Sequence, residues 1–493
     1  MPRSLFRLLK TRHAPRASGS ERRRRAADYY ERARTALPLD LLTAVAPQSS
    51  PGSVAIVGAG FAGCMAAFVA SRLGFDVTVY EASQQPGGRV RSSEELVSGR
   101  ILEMGAELIG LNHPVWLACA QQAGFGLAVV TPEDEQGGGL LESPLILDGQ
   151  SYDSAAQQQL YNGMQTVFDA WIDQSVSVNC WQPWDSPNAG ELDNQTLQDQ
   201  IPANTPADVA LAIATEFELN NTVRIDQQSW LANLAQINAG GGEGFFDDTE
   251  IFRCAAGNQR LAPWLLAGLT PVSKVADAIQ TTDQVLVHFT DGSEDGPFDY
   301  VIVATSVAVW PTIAVDGKPF PYTAIQSGPA IKYLAAVENR FWIPDGLSPS
   351  GMSDSLGMTW EGTDNQADTA RFDLTVFAGG HAAQNAIKSG GSDGYFAPLI
   401  QQLYPTFATN GPTCFVDFPN EAAIRTGYSC PAPGQVVGAQ REYTTPYRDC
   451  LFVAGEHTSP AWFGFMEGAL ESGLIAAARL GEAAGVLESP AID

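Results

Sequence analysis

The stretch "VAIVGAGFAG", residues 54–63, limits the possible folds of this chain more than any other segment. Its first four residues are apolar and partly β-branched, which is typical of a buried strand. Gly58, Gly60 and Gly63 follow at the spacing of a GxGxxG turn. Glycines at such a turn allow a tight bend, a close approach of the backbone to a ligand and close contact between helix and strand.

The residues after the glycines complete the pattern. Residues 61–73 are rich in alanine and predict a helix that ends at Gly74, and residues 77–81 alternate like a second strand. Glu81 lies 23 residues after Gly58, near the spacing at which an acid accepts hydrogen bonds from a ribose. The sequence predicts a βαβ unit whose helix N-terminus binds a pyrophosphate. The predicted contacts to this dinucleotide are Gly58, Gly60, Phe61, Ala62, Gly63, Glu81 and Ala82.

The segment "EASQQPGGRVRS", residues 81–92, indicates which dinucleotide is bound. Gly87 and Gly88 offer a second close backbone approach, and Arg89 adds a cation beside the same phosphates. Nicotinamide dehydrogenases rarely need this second clamp because their cofactor must leave. A permanently held FAD is therefore expected.

This segment resembles the flavin amine oxidase family, which includes monoamine oxidases, polyamine oxidases and L-amino-acid oxidases. The stretch "LFVAGEHTSPAWFGFMEGALESGLIAAARL", residues 451–480, is similar to the closing motif of the same family. The motifs lie about 390 residues apart in the family's order. The pattern "GAELIG.NHP.W" with "GGRVR" looks most like bacterial L-amino-acid oxidases. The resemblance implies an α/β (α+β two-domain) flavoenzyme, with a Rossmann-like FAD-binding domain, a mixed-sheet substrate domain and a helical insertion.

The resemblance also implies where the flavin lies. Glu456 would approach the ribityl hydroxyls, and a helix beginning at Met466 would point its N–H groups at the flavin pyrimidine oxygen. Residues 104–107 would run beside the flavin ring, and the backbone of Val272 would contact the adenine. The further FAD contacts implied are Gly88, Arg89, Met104, Gly105, Ala106, Glu107, Val272, Gly455, Glu456, Phe465 and Met466.

The domain boundaries follow from the same match. They are a basic N-terminal extension (1–51), FAD-binding segments (52–116, 241–309 and 435–493), a helical insertion on the substrate side (117–240) and a substrate domain (310–434).

Lys332 is unexpected because it lies inside the apolar stretch "AIKYLAAV". A buried lysine costs several kcal/mol unless it is paired or neutral. The resemblance implies that this lysine, followed by Phe341 and Trp342, holds a water against flavin N5 and helps the reduced flavin react with oxygen. The alternative is a lysine on an edge strand that faces solvent.

Aromatic residues are the candidates for walls over the flavin face. They are Tyr428, Trp462, Phe463 and Phe465, which would orient an amine and exclude water. Gly427 stands where monoamine oxidases have a cysteine bonded to the flavin, so FAD should be held non-covalently. The alternative for Tyr428 is a structural residue of a turn.

The reaction implied is oxidative deamination. Hydride would pass from the substrate Cα to flavin N5, giving a 2-oxo acid, ammonia and hydrogen peroxide. Venom-type L-amino-acid oxidases have an arginine where this chain has Leu108, but Arg91 is expected to face the same side as Arg89 and would suit a carboxylate. An L-amino-acid oxidase is therefore favoured. The alternatives are a primary amine or polyamine oxidase, and a flavin desaturase or non-catalytic FAD-binding protein.

Charge excludes nucleic acid as a partner. The formal net charge is -27, and residues 1–40 carry 11 of the 28 Lys and Arg but only 4 of the 55 Asp and Glu. The acidic body would repel nucleic acid, so the basic arm is expected to lie against it as a solvated or helical extension, the alternative being a targeting tag.

The remaining composition gives expected absences. Seven cysteines and five histidines are dispersed without a CxxC pair, so no metal is expected. The sequence has no apolar run of about 18 residues and no recognisable secretory signal, so a soluble, cytoplasmic protein without a membrane partner is expected by default. The family resemblance implies a homodimer.

Overall fold

The computed structural model describes residues 4–13, 18–45, 49–130, 141–366 and 371–488. Its helices are α1 (Leu5–His13), α2 (Gly19–Ala36), α3 (Phe61–Arg72), α4 (Pro114–Ala123), α5 (Ser154–Ser175), α6 (Ala189–Asp193), α7 (Ala207–Asn221), α8 (Trp230–Ala239), α9 (Glu243–Asp248), α10 (Leu261–Leu266), α11 (Gly380–Lys388), α12 (Asp393–Leu403) and α13 (Met466–Ala483).

Twenty-two strands are assigned within these residues. They are β1 (Ser53–Val57), β2 (Asp76–Glu81), β3 (Ser92–Ser93), β4 (Leu102–Glu103), β5 (Leu127–Val129), β6 (Leu145–Leu147), β7 (Gln150–Ser151), β8 (Phe252–Cys254), β9 (Val272–Ser273), β10 (Ala276–Gln280), β11 (Val285–Phe289), β12 (Glu294–Phe298), β13 (Tyr300–Val303), β14 (Ala314–Val315), β15 (Ser327–Gly328), β16 (Ala330–Val337), β17 (Gly351–Ser353), β18 (Gly357–Trp360), β19 (Phe372–Gly379), β20 (Thr413–Val416), β21 (Tyr428–Ser429) and β22 (Leu451–Val453).

A five-stranded parallel sheet in the order β22-β13-β1-β2-β9 joins the two ends of the chain. The predicted βαβ unit is confirmed as β1, α3 and β2, and β13 lies beside β1 with β22 next to it. Both faces of β1 are buried, which explains its continuous apolar sequence. The predicted α/β class and Rossmann-like domain are confirmed.

Helices α3 and α13 pack against each other on this sheet, and a glycine permits their contact. A Cβ at Gly473 of α13 would lie 2.2 Å from the carbonyl oxygen of Ala62 in α3. No side chain larger than hydrogen fits at this crossing without a backbone shift.

Strands β10 and β11 form an antiparallel hairpin. These strands belong to a four-stranded sheet in the order β12-β11-β10-β14. This sheet packs against the parallel sheet through the cluster that contains Tyr80, Ile279 and Val287.

A seven-stranded mixed sheet has the order β20-β16-β19-β18-β17-β6-β7 and includes most of the strands of the predicted substrate domain. Lys332 lies on β16 opposite Phe377 of β19 and Val416 of β20, so the edge-strand alternative for this lysine is wrong. Strands β6 and β7 come from the segment predicted as helical insertion. They are too short to give a periodic sequence pattern, and their place is decided by pairing with β17.

Helices α5 to α8 lie within the segment predicted as a helical insertion (117–240), whereas α9 lies in residues assigned to an FAD-binding segment. Helices α5 to α9 together form a helical unit whose core includes Phe168, Trp171 and Trp230. The basic arm was expected to be a solvated or helical extension, and it is helical. Its α1 is not solvated, because Leu5, Phe6 and Leu9 belong to this core. Among the described residues, no helix combines the length and apolar character that a bilayer crossing requires.

Candidate active site

A cavity of about 600 Å³ reaches from the carboxyl ends of the parallel strands to the seven-stranded sheet. It brings together most of the residues that the sequence predicted. These are Gly58, Gly60, Phe61, Ala62, Glu81, Ala82, Gly88, Arg89, Arg91, Met104, Gly105, Ala106, Glu107, Lys332, Tyr428, Gly455, Glu456, Phe463, Phe465 and Met466. A cavity at the carboxyl ends of parallel strands is where open α/β sheets bind ligands.

Three predicted residues do not line the cavity. The ring of Trp462 is buried against His113 and Phe465, at centroid distances of 4.8 and 5.4 Å. Val272 lies on the edge strand β9, and residues 274–277 line the cavity in its place. Gly63 serves helix and strand packing, because a Cβ there would lie 1.9 Å from the carbonyl oxygen of Gly58.

The glycine turn offers open space to a ligand at Gly60. A Cβ built on this residue meets no heavy atom within 4 Å, although the residue lines the cavity. Gly60 is also the N-cap of α3 and makes no side-chain cap, so the first N–H groups of the helix face the cavity uncapped. This turn fits the phosphates of a dinucleotide.

Glu81 holds the turn in shape. Its Oε2 accepts a hydrogen bond from Ala59 N at 2.6 Å, and its Oε1 accepts one from Ser83 N at 2.7 Å. The sequence predicted a ribose contact for this carboxylate, which also lines the cavity. The structure adds a role that the sequence spacing did not indicate. Glu81 joins the glycine turn at Ala59 to the loop that begins at Ser83.

Arg89 and Glu456 tie three chain segments together beside the cavity. Arg89 Nη1 donates to Glu456 Oε1 at 2.8 Å, and Glu456 also accepts hydrogen bonds from Ser429 N and Gly464 N at 3.2 and 2.7 Å. Burial raises the pKa of Glu456, but Arg89, His457 and the Ser429 hydroxyl more than offset this and leave the pKa below its ordinary value.

Lys332 ends the cavity on the substrate side and is ion-paired. Its Nζ donates to Glu107 Oε2 at 2.7 Å and to the carbonyl oxygen of Glu103 at 2.8 Å, and it lies 5.3 Å from the centre of the Trp360 ring. Trp360 Nε1 donates to Glu107 at 3.1 Å, and Arg253 Nη1 lies 3.4 Å from Glu107 Oε1. The Glu107 carboxylate therefore receives three donors in a buried site.

Glu103 adds a titratable group on the strand before Met104. Burial raises the pKa of Glu103 to about 7, against the hydrogen bonds from Asn258 N and the Ser92 hydroxyl, which lower it. This buried carboxyl lies beside the segment predicted to run along the flavin ring, and it changes charge near neutral pH.

The aromatic side of the cavity contains Tyr428, Phe463 and Phe465. Tyr428 Oη donates to the carbonyl oxygen of Asn220 at 2.7 Å, and burial raises the pKa of Tyr428 far above its ordinary value. Gly464 has a φ of +80°, and a Cβ there would lie 2.9 Å from the Tyr428 ring. Glycine thus lets the chain pass beneath the tyrosine.

Arg91 lines the cavity but already binds a carboxylate. Its Nη1 and Nη2 donate to the two oxygens of Glu421 at 2.7 and 2.6 Å, and the guanidinium stacks over Phe418 at 4.9 Å. A substrate carboxylate would have to displace Glu421 from this fork. The predicted role of Arg91 as an anchor stays a prediction.

Sequence reasoning missed several cavity residues and their partners. They are Asn220, Glu250, Arg253, Trp360 and Glu421. Asn220 and Glu250 end or follow helices of the insertion, and Trp360 reaches Lys332 only because β18 and β16 flank β19. One usable signal was Arg253, a charged residue in a short apolar strand like Lys332.

None of the seven cysteines, all of which are described, lines the cavity. Cys430 is the nearest along the chain to Tyr428, and it is buried. This arrangement fits a flavin that is held without a covalent bond to sulfur.

Two family models match the chain. The model described as flavin containing amine oxidoreductase matches residues 269–481, and the model described as NAD(P)-binding Rossmann-like domain matches residues 56–122. Together they cover both ends of the cavity.

Curated relatives extend along most of the chain. An L-amino acid dehydrogenase of Synechocystis is 25% identical over 88% of this chain and 95% of its own. A putative flavin-containing monoamine oxidase of Mycobacterium tuberculosis is 26% identical over 87% and 96%. An L-amino-acid oxidase of Daboia russelii is 36% identical over 89 residues, which is 18% of each chain.

Solved structures share the fold. A putrescine oxidase bound to putrescine has a TM-score of 0.73 at 20% identity, over 87% of this chain and 98% of its own. A cyclohexylamine oxidase from Brevibacterium oxydans has a TM-score of 0.74 at 18% identity, over 87% and 99%. At this identity the likeness concerns the fold.

Proposed function

The chain belongs to the flavin amine oxidase family, and from this premise we propose that it is an FAD-dependent L-amino-acid oxidase. The observation that carries the proposal is the cavity that joins an uncapped glycine turn, an aromatic side with Tyr428, Phe463 and Phe465, and the buried Lys332. A flavin amine oxidoreductase needs these parts in this order, since the dinucleotide must be held at one end and the substrate at the other.

Several residues would hold FAD in this proposal. Gly60 and the first turn of α3 would face its pyrophosphate, and the N-terminus of α13 at Met466, which also lacks a side-chain cap, would face the flavin ring. When bound, the flavin supplies hydride acceptance at N5. FAD rather than another flavin, and its non-covalent attachment, are part of the proposal.

The protein would contribute binding, orientation and exclusion of water. Tyr428 and Phe463 would flank the substrate amine, and a dry aromatic surface favours the neutral amine from which hydride is lost. Tyr428 would keep a fixed orientation because its hydroxyl is bonded to Asn220. Lys332, held between Glu107 and the Glu103 carbonyl, would place a fixed ammonium beside the reacting region during reoxidation by oxygen.

The amino-acid substrate rests on two supports. The Synechocystis relative, which matches along most of the chain, is named an L-amino acid dehydrogenase. Arg91 lies on the cavity and its fork already fits a carboxylate, so a substrate carboxylate can compete with Glu421 for the same donors.

A second candidate is a primary amine or polyamine oxidase. Glu250 lines the cavity, whereas Arg89 and Arg91 are each paired with a carboxylate of the chain. A carboxylate on the cavity wall would suit a substrate that carries only positive charge. The Mycobacterium tuberculosis relative is named a putative monoamine oxidase.

The test is a substrate panel with both half-reactions followed separately. Purified protein should be yellow, and L-amino acids should bleach its flavin anaerobically and release peroxide in air, whereas putrescine, tyramine and D-amino acids should not. Lys332→Met should slow reoxidation by oxygen at least tenfold, to order of magnitude, while changing reduction less.

Three results would count against parts of the proposal. Bleaching by putrescine or tyramine but not by amino acids would select the second candidate. Equal effects of Lys332→Met on both half-reactions would remove the oxygen role from this lysine. A protein that stays colourless after incubation with FAD would refute both candidates.

A homodimer is a further part of the proposal, and light scattering of the purified protein would check it.

A further inference from the structure

The N-terminal arm, defined as α1 and α2, is part of the core of the helical unit. Leu5, Phe6 and Leu9 are buried, and the Phe6 ring packs on Phe168 and Phe246 at centroid distances of 4.8 and 5.4 Å. Burial of three large apolar side chains fixes α1 against helices that border the substrate end of the cavity.

The polar groups of the arm converge on the end of α9. Lys10 Nζ lies 3.0 Å from Asp247 Oδ1, and Arg25 Nη1 lies 3.3 Å from both Asp247 Oδ2 and Asp248 Oδ2. Tyr29 Oη donates to Asp248 Oδ2 at 3.0 Å. Arg7 Nη1 adds a third cation at 3.4 Å from Asp247 Oδ1, so three cations and one hydroxyl from the arm serve two adjacent carboxylates.

These carboxylates depend on the arm for their charge compensation. The side chains of Asp247 and Asp248 are only 9% and 2% exposed, and Glu243 and Glu250 place two more carboxylates within the same eight residues. Burial lowers the pKa of Lys10, but Asp247 and Glu243 outweigh burial and raise it above its ordinary value. Removal of the cations would leave buried like charges, which are relieved by proton uptake or by movement of α9 toward water.

The segment after α9 forms the wall of the cavity. Glu250, two residues beyond Asp248, lines the cavity, and Arg253 in β8 contacts the Glu107 carboxylate that holds Lys332. A shift of α9 would therefore move Glu250 at the cavity wall and Arg253, which contacts the carboxylate partner of Lys332.

A second contact links the arm to α7. The backbone N of Phe6 donates to Glu216 Oε2 at 3.1 Å, and α7 ends at Asn220 and Asn221, which line the cavity. Asn220 is also the residue that fixes the Tyr428 hydroxyl. Both helices that border the substrate end are thus held by the same arm.

We propose that the N-terminal arm stabilises the substrate end of the cavity. Lys10 and Arg25 would act as positioning residues that fix α9 and, through it, Glu250 and Arg253. The arm contacts the substrate side of the cavity through these segments, so its loss should affect substrate binding before flavin binding. The effect on substrate binding rests on the proposed function, whereas the effect on α9 does not.

The first experiment measures hydrogen exchange in the full-length holoenzyme. Arg25→Gln and Lys10→Gln are compared with Arg34→Gln, a matched control whose exposed partner Glu31 lies on the same helix. Backbone amides of residues 243–254 should exchange at least tenfold faster, to order of magnitude, in the two test variants and at the wild-type rate in the control.

The second experiment measures steady-state kinetics with the best substrate of the wild type. Arg25→Gln should raise KM about tenfold and change kcat less than about threefold, while the bound flavin absorbance per protein stays at the wild-type value. Arg25→Lys, which keeps the charge, should restore most of the affinity. A global loss of stability would instead release flavin, and Arg25→Lys would not restore KM while the flavin content stays unchanged.

The outcomes separate the two proposals. Unchanged exchange at residues 243–254 in both test variants, or an unchanged KM, would overturn the support role. If Arg25→Gln does not fold, Lys10→Gln alone decides by the same two measurements. A wild type that oxidises no amine or amino acid refutes the proposed function, and the exchange experiment still decides whether the arm fixes α9.

Discussion

Lys332 shows how one residue acquires its role from its neighbours. Its ammonium lies in a sheet interior, paired with Glu107 and covered by Trp360. The Glu107 carboxylate in turn serves Trp360 and Arg253, so it compensates two cations in a site that water hardly reaches. The partner of the lysine is therefore the residue on which the site depends most.

Glu107→Gln should destabilise the holoenzyme by about 3–5 kcal/mol, because Lys332 would lose the carboxylate that compensates its buried charge, whereas Arg253 keeps its pair with Asp364. The matched control is Glu421→Gln at the half-exposed pair with Arg91, where a loss of about 0–1 kcal/mol is expected. Urea unfolding followed by far-ultraviolet circular dichroism measures both. Equal losses in the two variants would contradict the idea that burial decides the cost.

At the scale of elements, the crossing of α3 and α13 joins the two sides of the cavity that are proposed to hold the flavin. The first turn of α3 follows the glycine turn, and the first turn of α13 begins at Met466 on the same cavity. Gly473 lets the two helices touch, since its missing side chain leaves room for the carbonyl oxygen of Ala62. Gly473 therefore permits the close approach of the two helices near the N-terminus of α3.

Gly473→Ala should therefore cost about 1–3 kcal/mol of stability and weaken the binding of FAD, because the new methyl group forces α13 away from α3. The control is Gly190→Ala in α6, where a Cβ meets no heavy atom within 4 Å and a gain of up to about 1 kcal/mol is expected. Flavin release on dilution, followed by fluorescence, measures the effect on the cofactor. Tight FAD binding by Gly473→Ala would show that the crossing is more adaptable than its geometry indicates.

At the scale of the whole molecule, the fold buries a set of carboxyls whose pKa is raised to near neutral pH. Burial raises the pKa of Glu103, Glu216 and Asp373 to about 7 and that of Glu467 to about 8. Because unfolding returns these groups to ordinary values near 4, the folded protein holds protons that the unfolded chain has already released. The stabilisation associated with these protons disappears as the pH rises through the folded values.

Stability should therefore fall by a few kcal/mol between pH 6.5 and pH 8. Burial lowers the pKa values of His113 and His457 to about 3 and about 4. These histidines reduce the stability of the protein only as the pH falls below their ordinary pKa near 6.5, so they do not oppose this decline. Urea midpoints across this pH range measure the slope, and Asp373→Asn should make it less steep. A midpoint that rises toward pH 8 would show that these carboxyls are ionised in the folded protein.

The sequence alone determined the parts of this protein that depend on local pattern. The GxGxxG turn, the alternation of β2 and the glycine-capped helix predicted the Rossmann-like unit, and two motifs at opposite ends predicted the family. The lysine in an apolar strand also indicated a special environment, since a buried lysine is costly unless it is paired or neutral.

Only the tertiary structure decided which groups meet. Glu107 faces Lys332, Glu421 occupies Arg91 and the N-terminal arm reaches α9 because strands and helices distant in sequence pack side by side. Such pairings depend on sheet order and helix docking, which no local period encodes. Trp462 and Val272 were assigned to the cavity for the same reason: their chain positions were close to it, but the direction of their side chains and the edge of the sheet are set by packing.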